Sequence, residues 1–431
     1  MSFLRTADTT TQKLEEGVTE GLFGKQQELD PAVGVNRRDA RLSVSLSGTN
    51  LARAGDYNLR TVLQAIRLRP DITRVDIAQQ TGLTTAAIAN ITGKLAQAGL
   101  IKVAGRRSGG RGQPALKLTI EPDGAFGIGI NVDRDHLTLV TLDLAGEVRS
   151  RVTREMRFPM PSDLLDFLHD ELDAAIAKGR IDRSRIVGIG VAIPDKMGSI
   201  AIPHSPPGYA IWDETDLFDL LSQMLPWPIH CDNDAAAAAL AEAEYGTGFD
   251  NPNFFYLLVS AGLGGGLVID RHYRRGASNR SGEIGLMPDL GGGHTDACVQ
   301  DTVSVSSLII RLAAAGYEVS NVPALAELPE GAEPLIEDWI QDSVRALVGP
   351  IIAVNCLIDP NAILIGGRLP PALVTRLAQA LAERLAVVAM PRSAVILPAS
   401  ISMDASAVGA AILPFLDRLV PSDATLIQAG R

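Results

Sequence analysis

Cysteine and aromatic residues are scarce in this chain, and it has no long apolar run. Its three cysteines, Cys231, Cys298 and Cys356, lie far apart, unlike the close spacing of a secreted disulfide framework. The first residues, MSFLRTADTTTQKLEEG, lack the basic start and apolar stretch of a secretory signal. No uninterrupted apolar run approaches the roughly 20 residues of a membrane helix. These absences predict a soluble, cytoplasmic protein with no membrane partner.

Negative charge dominates the chain, but it is unevenly distributed. A chain of 431 residues is too long for one hydrophobic core, so at least two domains, forming three lobes, are expected. The net charge is −11, yet residues 51–118 hold eleven basic and three acidic side chains, a net charge of +8 that leaves −19 elsewhere. This asymmetry indicates a phosphate-binding segment on an acidic body that DNA would repel.

Residues 73–101, TRVDIAQQTGLTTAAIANITGKLAQAGLI, carry the pattern of two short helices around a turn. Thr73 and Asp76 have the spacing of a capping box, and Gly82 supplies the turn. An earlier helix that ends at Pro70 completes a three-helix core. Two short strands around the loop GRRSGGRGQP then predict a wing. The pattern is that of a winged helix-turn-helix, a module that binds DNA.

The second of these helices and the wing are the predicted DNA contacts. The helix is expected to bury Ile88, Ile91 and Leu95 and to turn its small residues toward a groove. Asn90 can pair with an adenine edge, and the wing sequence GGRGQP resembles short hooks that lie in narrow A·T-rich minor grooves. A flexible, solvated linker is the alternative for this loop. The predicted DNA-binding residues are Thr84, Thr85, Asn90, Lys94, Arg106, Arg107 and Arg111.

Beyond Pro122 the pattern changes to that of an α/β protein. Three strands, FGIGINV, HLTLVTLDLAGEV and RSRVTREM, predict an antiparallel meander. Strands and helices then alternate, with helices expected at 161–179, near 214–224, near 301–315 and near 335–357. We therefore expect a partly disordered leader at 1–50, a DNA-binding domain at 51–118 and a two-lobed ligand-binding and oligomerisation domain at 119–431.

From Tyr57 to Leu416 the chain resembles the ROK family of sugar-responsive repressors and sugar kinases, in its repressor branch. LLVSAGLGGGLVID resembles the family's second glycine-rich phosphate loop, and SGEIGLMP resembles its sugar-binding signature. CDNDAAAAALAE resembles the segment that carries the kinase's general base, and AILIGGRL the late glycine pair of the nucleotide cleft. The resemblance implies an α/β fold in which the winged helix-turn-helix is joined to a two-lobed, actin-like ATPase body.

Both phosphate loops depart from the kinase pattern. Where family kinases have an aspartate, two glycines and a threonine, this chain has Asn131, Asp133, Arg134 and Asp135. Two carboxylates would repel phosphate, and bulky side chains block the close approach that glycine permits. In the second loop, Ser260-Ala261 replaces glycine-threonine, and the glycines at 264–266 are expected to serve only a tight turn. Neither ATP binding in the family manner nor enzyme activity is expected, and no cofactor is implied.

The family's zinc site is also not expected here. Leu286 stands where the zinc-binding histidine of many members lies, and Cys298 is the only remaining cysteine of that cluster. Gln300 replaces a glutamate that helps to bind sugar. His230 and His294 have no ligand-like spacing to a cysteine, so no metal is predicted.

Four residues are predicted to bind the ligand, namely Ser205, Asn233, Asp234 and Glu283. The resemblance implies that Asn233 and Asp234 bind sugar hydroxyls at a helix start, where Asp234 is the relic of the general base. For these two an ordinary helix cap is the alternative, and for Glu283 a solvated loop charge. Trp212 is expected to be structural.

The resemblance implies a repressor of carbohydrate-metabolism genes whose partners are operator DNA and a sugar or sugar-derivative effector. A homodimer or homotetramer is expected, because paired heads bind half-sites a helical turn apart. Two alternatives remain open. One is an ATP-dependent sugar kinase that carries a DNA-binding head, and the other is a regulator that responds to a partner protein.

Overall fold

The computed structural model describes residues 51–107, 114–198, 205–277, 280–390, 392–401 and 403–421. The predicted leader at 1–50 and the candidate DNA contact Arg111 lie outside these ranges. The described part consists of a small head and a body built on two five-stranded sheets.

The head is a winged helix-turn-helix, as predicted. Its elements are α1 (Leu51–Leu68), β1 (Ile72–Thr73), α2 (Arg74–Thr81), α3 (Thr85–Gln97), β2 (Ile101–Arg107) and β3 (Ala115–Ile120). β3 lies between β1 and β2 and is antiparallel to both. Thr73 and Asp76 form the predicted capping box, and Gly82 ends α2 with a φ of 71° that favours glycine.

The inner face of α3 differs from the prediction at one position. Ile88 and Leu95 are buried, but Thr92 is the third buried residue and Ile91 is only partly buried. The Thr92 hydroxyl donates to the carbonyl oxygen of Ile88 at 2.7 Å. Because this hydrogen bond satisfies the hydroxyl, a threonine can occupy the core.

The first lobe of the body contains the predicted meander. Its elements are β4 (Phe126–Val132), β5 (His136–Asp143), β6 (Val148–Glu155), α4 (Pro161–Gly179), β7 (Ile186–Ile193), α5 (Ile211–Glu214), α6 (Leu217–Ser222) and β8 (Ile229–Asn233). The sheet order is β6-β5-β4-β7-β8, with β7 parallel to β4 and to β8. The helix predicted near 214–224 is present but shorter, at Leu217–Ser222. Asp216 accepts hydrogen bonds from the amides of Phe218 and Asp219, so a new helix begins there.

The second lobe surrounds the other sheet. Its elements are α7 (Asp234–Tyr245), β9 (Phe254–Val259), β10 (Leu263–Ile269), β11 (His272–Tyr273), α8 (Val299–Thr302), α9 (Val305–Ala314), α10 (Glu333–Ile358), β12 (Ala362–Gly367), α11 (Pro371–Ala386) and β13 (Val395–Pro398). The last helix, α12 (Ala405–Arg418), returns to the first lobe and packs against its sheet. The sheet order is β11-β10-β9-β12-β13, and β12 is parallel to both β9 and β13. Helix α11 was not predicted.

One segment among the described residues, Glu330–Ile358, is long and apolar enough to cross a membrane by length and composition alone. Half of its most apolar window is buried inside the protein. Trp339, Leu347 and Ile351 on this segment belong to the hydrophobic core of the second lobe. We therefore interpret it as a core helix.

Helix α12 packs unusually closely against its neighbours. A Cβ atom at Gly129 would lie 1.9 Å from the carbonyl oxygen of Ala407, and one at Gly190 would lie 1.8 Å from that of Ala410. On the other side, a Cβ atom at Gly409 would lie 1.7 Å from the carbonyl oxygen of Ala237 in α7. Glycine is therefore required where α12 contacts β4, β7 and α7.

The head and the body share one hydrophobic core. Leu63 and Leu95 of the head belong to the same buried cluster as Val140, Leu240 and Phe415 of the body. The head is thus packed against the body over an apolar surface. The predicted domain boundary at 118/119 stays a prediction.

Arginine side chains also join the head to the body. Arg67 of α1 forms an ion pair with Glu244 of α7, and its guanidinium lies 5.1 Å from the centre of the Tyr245 ring. Arg60 donates to the carbonyl oxygen of Asp417 at 2.6 Å. In the opposite direction, Arg185 of the body donates to the carbonyl oxygen of Ala98, just after α3, at 3.4 Å. Part of the head's positive charge therefore serves this junction and not DNA.

Candidate effector cleft and nucleic-acid interface

The head exposes six of the seven predicted DNA-binding residues. These are Thr84, Thr85, Asn90, Lys94, Arg106 and Arg107. Thr84 caps α3, where its side chain accepts a hydrogen bond from the amide of Ala87 at 3.2 Å. Arg107 forms an exposed ion pair with Asp76 at 3.1 Å. The surface is available for nucleic acid, and contact with DNA by these residues stays a prediction.

A small cavity lies at the start of α7, where the two lobes meet. Its volume is about 40 Å³, and it is lined by Arg134, Pro194, Asp195, Asn233, Asp234, Ser260, Gly262, Leu263, Gly264, Gly265, Glu283 and Gln300. Three of the four predicted ligand residues meet there. Ser205 is exposed and does not line the cavity. Ligand pockets usually measure about 300–1,000 Å³, so this cavity is small for a ligand site.

Asn233 caps the helix, and both Asn233 and Asp234 line the cavity. The side-chain oxygen of Asn233 accepts from the amides of Ala235 and Ala236 at 2.9 and 3.0 Å. The helix-cap alternative is therefore correct for this oxygen. Burial, followed by the nearby charge of Asp133, raises the pKa of Asp234 to about 7. Near neutral pH this carboxyl group can exist in either protonation state, so it can accept from or donate to a ligand.

Asp195 is a cavity residue that the sequence analysis missed. It comes two residues after β7, and its carboxylate lies 3.5 Å from Nε of Arg280. Burial raises the pKa of Asp195, and burial together with the charge of Asp195 raises that of Glu283. Asp195 lies beyond the carboxyl end of a parallel strand, where the ligand-binding residues of α/β proteins usually lie. This position is the feature of the sequence that could have identified it.

Ion pairs surround Asp135, in the segment expected to correspond to the first phosphate loop of the kinases. Asp135 contacts Nδ1 of His136 at 2.5 Å and Nη1 of Arg368 at 3.5 Å. Arg368 also donates to Glu155 at 2.5 Å, and only 4% of its side chain is exposed. Arg368 directly follows β12 in the second lobe, whereas its partners belong to the first. No local pattern in the sequence indicates this link, because 213 residues separate Arg368 from Glu155.

Asp133, Asp135 and His136 present ligand atoms within 4.8 Å of one another, a grouping that could suit a metal ion. Both imidazole nitrogens already have partners, however. Nδ1 contacts Asp135, and Nε2 lies 3.0 Å from the side-chain nitrogen of Asn131. Arg368 already supplies positive charge beside Asp135. We therefore interpret the group as part of an ion-pair network.

The glycines of the second loop do more than form a turn, so that prediction is wrong. Gly264 and Gly266 lie within strand β10. A Cβ atom at Gly264 would be 2.8 Å from the side chain of Ala235, and one at Gly266 would be 2.5 Å from that of Ala239. These glycines let β10 pack directly against α7, which fixes the helix that carries Asp234.

Trp212 is structural, as expected. Its indole nitrogen donates to the carbonyl oxygen of Pro159 at 2.8 Å, and the side chain lies in the core of the first lobe. Leu286, in the position of the family's zinc-binding histidine, is half exposed. Cys298 donates to the Asp301 carboxylate at a distance of 3.2 Å.

The chain is similar in sequence to two family models and to several known proteins. Residues 127–415 match the model of the ROK family, and residues 56–102 match a winged helix-turn-helix DNA-binding model. "Uncharacterized protein y4fQ" of Sinorhizobium fredii is 27% identical over 83% of this chain and 90% of its own. The "DNA-binding transcriptional repressor Mlc" of Escherichia coli is 25% identical over 73% and 82%. The "Xylose repressor" of Bacillus subtilis is 26% identical over 53% of this chain, which spans 60% of that repressor.

Two solved structures have a similar fold. A ROK family transcriptional regulator, described as a homolog of the E. coli MLC protein, has a TM-score of 0.61 at 21% identity and covers 88% of this chain and 98% of its own. A ROK family glucokinase from Streptomyces griseus, in complex with glucose and AMPPNP, has a TM-score of 0.51 at 22% identity, covering 67% and 99%. Because the family model matches more than half of the chain, this protein belongs to the ROK family.

Proposed function

We propose that this protein is a DNA-binding transcriptional repressor of carbohydrate-metabolism genes that senses a sugar or sugar derivative without transferring phosphate. The observation that carries the proposal is the buried pairing of Arg368 with Asp135 and Glu155. Asp135 stands in the segment expected to correspond to the first phosphate loop of the kinases, while Asn233, Asp234 and Glu283 line the cavity. Relatives named as repressors support the same conclusion. We propose that it acts in the cytoplasm, as a homodimer or homotetramer.

Helix α7 offers a direct mechanical link between effector and DNA. Its first residue, Asp234, lines the cleft, and Glu244 near its other end pairs with Arg67 of the head. Twelve helical residues span about 18 Å, so a single rigid element connects the two sites. An effector that parts the lobes and moves α7 would also move the head. Operator affinity then changes only as far as the effector binds one arrangement better than the other.

DNA binding by the head is tested with Lys94→Ala and Asn90→Ala. Lys94→Ala should weaken binding to all sequences and reduce the slope of log affinity against log salt by about 0.9, the value for one lost phosphate contact. Asn90→Ala should cost about 1–3 kcal/mol at one base position and relax specificity there. Arg111→Ala should likewise weaken binding and flatten its salt dependence. The measurement is a fluorescence anisotropy titration with operator DNA at several salt concentrations. Unchanged affinities across salt would contradict the assignment of this surface.

Two assays test whether the cleft binds a sugar without transferring phosphate to it. A coupled assay with ATP, magnesium and a panel of hexoses should give no turnover, whereas a thermal-shift screen of sugars, polyols and sugar phosphates should give hits. These hits should vanish in Asp234→Ala, because the carboxyl group that binds ligand hydroxyls is lost. Asp216→Asn alters an aspartate that caps a different helix outside the cavity and should keep them.

Two results would reject this proposal. Turnover that is abolished in Asp234→Asn would show a kinase that carries a DNA-binding head. If no sugar raises the melting temperature while a cell extract still releases operator DNA, the regulator responds to a partner protein.

A further inference from the structure

We propose that Arg134 makes the cleft selective for a sugar that carries an anionic group, either a phosphate ester or a carboxylate, next to Asp234. This inference rests on the proposed function, because it concerns the ligand of the same cleft. It concerns a residue that replaces a phosphate-loop glycine of the kinases.

Arg134 is a buried cation that faces the cavity. Only 7% of the residue is exposed, and it lines the cavity together with Asn233, Asp234 and Gln300. Its Nε is buried and has no hydrogen-bond partner among the described residues. Leaving a buried guanidinium nitrogen unpaired is costly, so an acceptor from a ligand would remove that cost.

The backbone fixes the place of this side chain. The amide of Arg134 donates to a carboxylate oxygen of Asp133 at 2.7 Å, and its carbonyl oxygen accepts from the amide of Phe158 at 2.7 Å. Both bonds hold the residue in the turn between β4 and β5. The guanidinium therefore projects from a rigid support, as a binding group should.

The neighbouring carboxyl groups do not take the place of an anionic ligand. Asp135 is engaged with His136 and Arg368, and no carboxylate of the described residues forms an ion pair with Arg134. Asp133 and Asp234 are close enough for Arg134 to act on their titration, but burial dominates and raises the pKa of both. Burial thus disfavours the charged form of both carboxyl groups.

The lining of the cavity offers different partners to an anionic group and to hydroxyls. Arg134 lines the same small cavity as Asp195, Asn233, Asp234 and Glu283. An anionic substituent of the sugar would meet the guanidinium, while its hydroxyls meet the carboxyl groups and Asn233. The guanidinium fork suits two oxygens of a phosphate or of a carboxylate equally well.

The test compares matched sugars on the full chain by isothermal titration calorimetry. Glucose, galactose, mannose and N-acetylglucosamine are each titrated beside their 6-phosphates, and the first three also beside their 6-carboxylates, the uronates. In at least one series an anionic sugar should bind at least tenfold more tightly than its neutral parent. The phosphate and carboxylate arms tell the two sources of charge apart.

Variants of Arg134 assign that preference to the side chain. Arg134→Gln should remove it, and Arg134→Lys should keep part of it, because lysine retains the charge without the fork. Arg151→Gln removes an arginine that pairs with Asp404 outside the cavity and should keep it fully. The lysine variant keeps the test valid if the glutamine variant does not fold.

The outcomes separate this inference from the proposed function. Neutral sugars that bind as tightly as their anionic forms would overturn the role of Arg134 and leave the sensor intact. An anionic preference that persists unchanged in Arg134→Gln or in Arg134→Lys would also overturn it. Failure of every sugar to bind would reject the proposed function, and this inference with it.

Discussion

Replacing Arg67 by methionine is expected to lower the free energy of unfolding by about 3 kcal/mol, because it leaves a largely buried carboxylate without its partner. The side chains of Arg67 and Glu244 are only 9% and 11% exposed. Arg67 also donates to the side chain of Gln64 at 2.9 Å and lies against the Tyr245 ring. Methionine preserves much of the volume but none of these polar contacts. Urea and thermal unfolding of the full chain measure the loss.

A surface pair provides the matched control for this substitution. Arg183 pairs with Asp173 and lies over the ring of Trp227, but the paired side chains are 52% and 82% exposed. Arg183→Met should therefore cost no more than about 1 kcal/mol. Combining Arg67→Met with Glu244→Met should recover much of the stability, since no charge is then left buried. Equal losses at Arg67 and Arg183 would contradict a buried junction.

Arg67→Met also tests the link through α7. If that helix carries the effector signal to the head, the variant should still bind the effector, but the effector should change operator affinity much less. The measurement is operator affinity with and without a sugar hit from the thermal-shift screen. An undiminished response would show that the signal follows another path.

Gly409→Ala is expected to destabilise the protein by about 3 kcal/mol or more, at or beyond the upper end of the usual overpacking penalty. The added methyl carbon would lie 1.7 Å from the carbonyl oxygen of Ala237, so two helix backbones must separate. Helix propensity alone predicts the opposite sign, a gain of about 1 kcal/mol. The clash dominates, because a backbone cannot move aside as a flexible side chain can.

Gly93→Ala makes the same change in another helix and serves as the control. Nothing lies within 4 Å of a Cβ atom at Gly93, which is exposed on α3. This variant should be as stable as the native protein or gain up to about 1 kcal/mol. Melting temperatures of the two variants give the comparison. A stable Gly409→Ala protein would mean that α7 and α12 are not in such close contact.

The two variants show why local patterns predict some features and not others. The capping box of Thr73 and Asp76 and the turn at Gly82 depend on residues within a few positions of one another, and both were predicted. The need for glycine at 409 depends on a helix more than 160 residues earlier in the chain. In the sequence it is only a glycine in an apolar helix.

The residues of the ligand site could be predicted only where a local motif marks them. Asn233, Asp234 and Glu283 were found because they stand in motifs that resemble those of the family, and they do line one cavity. Ser205 was placed by the same argument but is exposed. Asp195 and Arg368 were missed because no neighbouring residue marks their role, which comes from the approach of separate strands.

For this protein, periodicity, capping residues and charge were enough to predict the DNA-binding head, the α/β body and the order of most elements. Each of these properties arises from interactions over a few residues, so it can be read from the chain. Three features could not be predicted in this way. They are the small volume of the cavity, the ion pairs that Arg368 forms with the first lobe, and the packing of Arg67 against α7. They depend on charge, burial and backbone contact between residues that only folding brings together.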